Sequence, residues 1–135
     1  MPSPLRIVVA DRQSEMREFY RSMLPKMGYR VVAVVETGNA LIERCLMLKP
    51  DLVITDFQLL DMDALDAVEE LYLEHRVPVI ILTAEHQPSQ IKRAVDDHAM
   101  AYLRKPAGKV ELEAEIPLVV RRFQELEALR RKVEG

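Results

Sequence analysis

Cysteine is nearly absent from this chain: Cys45 stands alone among 135 residues, so no internal disulfide is available and packing must hold the fold. Cys45 sits amid apolar residues at helical spacing, which makes it a buried small hydrophobe rather than a nucleophile. No grouping of His, Cys and carboxylates has zinc spacing. Charge of one sign is not in excess either. Nineteen Lys and Arg against 22 Asp and Glu leave a formal net charge of −3, without the basic field that non-specific nucleic-acid binding needs. Long hydrophobic runs are missing as well: the opening MPSPLRIVVADRQ returns to charged residues too soon for a signal-peptide core or a membrane span. The expectation is a cytoplasmic protein with no membrane contact and no direct nucleic-acid binding by this segment. Low-complexity tracts are lacking too, and the length suits one domain with one core.

Five short apolar runs are present: Ile7 to Ala10, Val31 to Val35, Leu52 to Thr55, Val79 to Leu82 and Ala101 to Leu103. They are nearly continuous in Val, Ile and Leu, as strands covered on both faces are. Between them the apolar period becomes helical, first with Met16, Phe19, Tyr20, Met23, Leu24 and Met27, for which Ser14 is the expected N-cap and Gly28 the stop. Further stripes are Leu41, Cys45 and Leu48; Leu65, Val68, Leu71 and Tyr72; and Ile91, Ala94, Val95 and His98. His98 reads as a helix-terminal residue, and His75 and His86 as surface loop positions.

Such alternation implies right-handed crossovers and a doubly wound, five-stranded parallel sheet. Sheets of this kind place their chemistry at the carboxyl ends of the strands, where the winding reverses. With strand order 2-1-3-4-5, Asp11, Asp56, Thr83 and Lys105 would share one shallow pocket. A carboxylate nucleophile beside an ammonium and a hydroxyl suits phosphoryl transfer to an aspartate. Asp56 is then the acceptor, Lys105 a point charge on the phosphoryl group, Thr83 a hydroxyl donor, and Ala84 a small residue that keeps the approach open.

The segments VVAD, PDLVITDFQLLDMDA, VPVIILTA and AYLRKPA resemble those of bacterial two-component response-regulator receiver domains, over roughly residues 5 to 122. The resemblance implies the flavodoxin-like receiver fold, Asp56 as the phosphorylated aspartate, Thr83 as the switch hydroxyl, Tyr102 as the aromatic whose rotation reports the state, and a cis peptide before Pro106. It also implies a sensor histidine kinase or phosphotransfer protein as partner, and Mg2+ held by acids of the pocket. A domain of this kind would catalyse only its own phosphorylation and slow hydrolysis. A phosphatase of the haloacid-dehalogenase type would want a second aspartate two residues after the first, where Gln58 stands.

Two departures from the family pattern matter. Receivers normally carry two adjacent acids after the first strand, and here the pair is Asp11–Arg12. Either Arg12 turns into the pocket and pairs with Asp11 and Asp56, imitating part of the metal's charge, or it points to solvent while Asp11, Asp56 and the carbonyl of Gln58 hold a weak Mg2+ site. In the loop after the acceptor, Leu59–Leu60, Asp61 and Ala64 replace the usual Met-Pro and glycines. Gln58 and Glu85 occupy positions that tune phosphoryl lifetime in similar proteins.

From Val110 onward the chain is strongly charged, with Val119, Phe123, Leu126, Leu129 and Val133 at roughly helical spacing. One long helix is expected from about Val110, with Pro117 in its first turn or at a kink; its first half packs on the sheet within a receiver domain over residues 1–122, and residues 123–135 project as a linker or coiled coil. The tail also resembles the helix that joins some receivers to small RNA-binding antitermination modules. Two functions follow. In one, phosphorylation of Asp56 alters the surface of the fourth helix, fifth strand and fifth helix to control an output or a homodimer. In the other, the same fold is a phosphorylation-independent pseudo-receiver used for protein interaction or dimerisation.

Overall fold

The computed structural model describes residues 3–84 and 101–134. The expected helix over Ile91 to His98, together with Glu85 and His86, lies outside the described residues. Five strands, β1 (Arg6–Ala10), β2 (Arg30–Val35), β3 (Leu52–Asp56), β4 (Val79–Thr83) and β5 (Ala101–Arg104), pair in parallel in the order β2-β1-β3-β4-β5. Among the described residues, three helices, α1 (Ser14–Lys26), α2 (Gly38–Leu48) and α3 (Ala64–Leu71), and a long C-terminal helix (Lys109–Glu134) accompany them. This is the doubly wound sheet that the apolar runs imply.

Successive strand side chains point to opposite faces, so the sheet divides the core of this one domain into two layers, one on each face. Val8, Ala10, Val53, Val79 and Ile81 pack with Leu41 and Cys45 of α2 and with Leu65, Val68 and Leu71 of α3. On the other face Ile7, Val9, Leu52, Ile54, Ile80 and Leu82 meet Tyr20 and Leu24 of α1 and Leu112, Ile116 and Val119 of the C-terminal helix. Each Val, Leu or Ile among them, taken wholly out of water, contributes about 1.5–3 kcal/mol. Cys45 lies within the first layer, and burial pushes its thiol up to about 12, far from a reactive thiolate.

Helix ends follow local chemistry, with one difference from expectation. Ser14 is the first residue of α1, and Gln13, extended at φ −95°, is its N-cap without a side-chain hydrogen bond. Gly28 adopts φ +92° beyond the end of α1, a conformation that costs glycine little. Pro117 falls inside the C-terminal helix rather than in its first turn. That helix keeps contact with the body past residue 122: Arg76 Nε lies 2.6 Å from Glu127 Oε1, and the guanidinium sits 4.9 Å from the Tyr72 ring centroid. Leu126, Leu129 and Val133 remain exposed.

Candidate functional site

The sheet brings the sequence-predicted residues together because its ladder continues past the ends of the strands. Register pairs Ala10 with Thr55, Asp56 with Leu82 and Thr83 with Arg104. Beyond these pairs, Asp11 N donates to Val35 O at 3.0 Å, Phe57 N to Leu82 O at 2.9 Å and Lys105 N to Thr83 O at 2.7 Å. Asp11, Asp56, Thr83 and Lys105 are therefore held on backbone that is itself hydrogen-bonded, at one edge of the sheet. The Lys105–Pro106 peptide is cis.

Charge concentrates there. Lys105 Nζ is 2.9 Å from Asp11 Oδ2 and 3.4 Å from Asp56 Oδ1, and Arg12 Nε is 3.8 Å from Asp56 Oδ2. Asp11 is 1% exposed and Asp56 6%, whereas the Arg12 side chain is 49% exposed. Desolvation raises the pKa of Asp56 above its ordinary value, and the Asp11 charge adds to this, while Lys105 and, less strongly, Arg12 oppose it. The cavity above the carboxylate measures about 260 Å³ and is lined by Arg12, Gln13, Asp56, Phe57, Gln58, Thr83, Ala84 and Lys105. Thr83 and Tyr102 are hydrogen-bonded side chain to side chain, so the expected switch hydroxyl and aromatic are in direct contact.

Two features escaped the reading of the sequence. The Tyr20 phenol, assigned to a helical core stripe, is buried with no hydrogen-bond partner among the described residues. Its ionisation is pushed up by desolvation first and then by the charges of Asp11 and Asp56. The second is Asp61, whose Oδ1 accepts from Gly38 N at 2.6 Å and Oδ2 from Asn39 N at 3.0 Å. With Thr37 Oγ1 accepting from Ala40 N at 3.0 Å, the first three N–H groups of α2 are all satisfied, two of them by the loop that follows the acceptor. The loop closes on itself through Leu59 N to Met62 O and Ala64 N to Phe57 O, at 3.0 and 2.6 Å.

Receiver domains generally bind Mg2+ at their acidic phosphorylation site. The donor set here does not fit that ion. Asp11 Oδ1 already accepts from Gln13 N at 2.9 Å and its Oδ2 faces Lys105, while the two oxygens of Asp56 face Lys105 and Arg12. An octahedral Mg2+ needs open oxygen lone pairs, commonly from one or two carboxylates, and these point at cations and N–H groups instead. Among the described residues, no three or more His, Cys, Asp or Glu gather in a way that could hold a metal. Nor, among them, is any helix long and apolar enough to cross a membrane.

Comparison with known proteins agrees with this geometry. The family model of the response regulator receiver domain matches residues 7–117. The transcriptional regulatory protein PdtaR of Mycobacterium tuberculosis is 36% identical over 130 residues, covering 96% of this chain and 63% of that protein. The KDP operon transcriptional regulatory protein KdpE of Escherichia coli is 36% identical over 116 residues, covering 86% of this chain and 51% of that one. The chain thus spans from half to about two-thirds of the length of these relatives. A CheY-like response regulator receiver domain protein from Methanospirillum hungatei superposes with a TM-score of 0.83 over 91% of this chain and 98% of its own, at 20% identity, a likeness of fold.

Proposed function

The chain belongs to the response regulator receiver domain family of two-component signalling, and from that premise we propose that it is a phosphorylation switch whose acceptor is Asp56. The observation that carries this reading is the Asp56 carboxylate at the floor of an open cavity, with Lys105 Nζ 3.4 Å from one oxygen and Thr83 and Ala84 on the wall. An Asp56 oxygen attacks phosphorus, an O–P bond forms, and the P–N bond of a phosphohistidine donor breaks, the electron pair leaving with the imidazole. Lys105 and the Thr83 hydroxyl meet charge on the equatorial oxygens. The donor is a histidine kinase or a phosphotransfer protein.

Once the phosphoryl group is in place, Thr83 turns toward it and gives up part of its contact with Tyr102. The two states differ in the arrangement of this pair, and phosphorylation biases the equilibrium between them. The altered surface includes β5 and the C-terminal helix, through which an output or a second copy of the domain is controlled. Two relatives that are named transcriptional regulators favour an output in transcription. The layout in this reading is a receiver over residues 1–122 with residues 123–135 as a helical connector, acting in the cytoplasm and turning over no external metabolite.

Incubation with acetyl phosphate tests the proposal. The intact chain should gain the mass of one phosphoryl group, and Asp56→Asn should gain none. An unmodified wild-type chain under conditions that label an ordinary receiver would favour the phosphorylation-independent interaction module instead.

A further inference from the structure

The charge balance of the pocket points to a further property, which rests on Asp56 being the acceptor. We propose that Arg12 takes the electrostatic place of a divalent cation, so that the pocket excludes the metal and receives its phosphoryl group without one.

The argument begins with counting. Two buried carboxylates, Asp11 and Asp56, face one guanidinium and one ammonium, and the four charges sum to zero. An acid at position 12 would leave three carboxylates against one ammonium, a formal −2 that only an added dication could neutralise. Arginine in its place changes the local charge by +2, which is the charge of that dication.

Geometry supports the same conclusion. A divalent ion between Asp11 and Asp56 would have to compete with Lys105, 2.9 Å from Asp11, and with the Gln13 backbone N–H at 2.9 Å, while standing close to the Arg12 guanidinium. Like charges at such range in a partly desolvated pocket repel strongly. An incoming phosphoryl group meets the opposite situation. Arg12 is half exposed and approaches Asp56 only to 3.8 Å, so its planar fork is free to leave the carboxylate and donate to two phosphoryl oxygens. With acetyl phosphate as donor, the O–P bond to Asp56 forms and the P–O bond to acetate breaks, acetate departing with the electron pair. No proton has to move, and Arg12, Lys105 and the Thr83 hydroxyl surround the charge that develops.

Two readouts on the full chain decide the matter. Broadening of amide resonances by Mn2+ reports metal binding, and intact mass reports labelling by acetyl phosphate in Mg2+ or in EDTA. The wild type should show no saturable Mn2+ binding and should label at rates within about twofold in the two buffers. Arg12→Asp should bind Mn2+ at least about tenfold more tightly and should label only with metal. Arg12→Gln, a milder change at a half-exposed position, should label several-fold more slowly than wild type in EDTA. Mn2+ binding by the wild type as tight as that of Arg12→Asp would overturn the proposal, as would loss of wild-type labelling in EDTA alone. Absence of label in both buffers refutes Asp56 as acceptor, and Mn2+ binding still decides whether Arg12 replaces the cation.

Discussion

Replacing Asp61 with alanine should destabilise the domain by about 1–2 kcal/mol, because one exposed carboxylate closes two of the three free N–H groups at the start of α2. Each bond is charge-assisted and lies at the positive end of a helix, where an anion is favoured. Water can reach the freed donors at this exposed position, which keeps the cost well under the sum expected for two buried bonds. For a domain of this size the loss amounts to roughly 3–8 °C in Tm. The contribution also depends on pH. Desolvation works to raise the Asp61 pKa, but the N–H groups of Gly38, Asn39 and the loop outweigh it and leave the carboxyl below its ordinary 3.8. A carboxyl with a lowered folded pKa supplies stability that is complete above the unfolded pKa and vanishes as the pH falls through the folded one. Urea unfolding of wild type and Asp61→Ala at neutral pH, and again at the lowest pH where both fold, should therefore show a gap that closes on acidification. A neutral-pH gap under about 0.3 kcal/mol would refute the clamp, and a gap that persists unchanged into acid would refute the role of the charge.

Other perturbations probe the pocket and the helix ends. Lys105→Met removes the nearer cation from both acids, so the already raised Asp56 pKa should rise further, read by carbon NMR of its carboxyl, and labelling by acetyl phosphate should fall by at least about tenfold. Gly38→Ala sets a methyl against Met62 Cγ and 2.6 Å from its sulfur; we expect a cost of about 1 kcal/mol that Met62→Ala largely relieves in a double-mutant cycle. Arg76→Ala breaks both the 2.6 Å contact with Glu127 and the packing over Tyr72, and should speed amide hydrogen exchange over residues 121–134 while exchange in β1 and β3 stays unchanged.

The strands were legible because their apolar runs are nearly unbroken, yet the read boundaries stop one residue short where it matters. Hydropathy ends the third run at Thr55 and the fourth at Leu82, whereas pairing carries β3 to Asp56 and β4 to Thr83. Ladder hydrogen bonds do not depend on side-chain polarity, so polar residues at a sheet's carboxyl edge join strands that hydropathy cannot assign to them. The position of Asp61 was visible only as a replaced glycine. Its partners lie 22 and 23 residues earlier, and no local pattern links a loop acid to a distant helix start. A first turn of α2 without an acid of its own was the one available hint. Arg12 posed a different difficulty. Its two orientations satisfy the sequence equally, and the choice falls to the depth of Asp56 and the position of Lys105, which exist only once the sheet has formed. The core assignment of Tyr20 held, but its nearness to the acids depends on how α1 crosses β1 and β3.

The most direct test of the account is the location of the label. After treatment with acetyl phosphate, reduction with borohydride converts an aspartyl phosphate to homoserine, and tandem mass spectrometry of the peptides identifies the carboxyl that reacted. The account predicts conversion at Asp56 and at no other acid, including Asp11 beside it. Conversion at Asp11 or at an acid outside the pocket, or none in a folded chain, would contradict it.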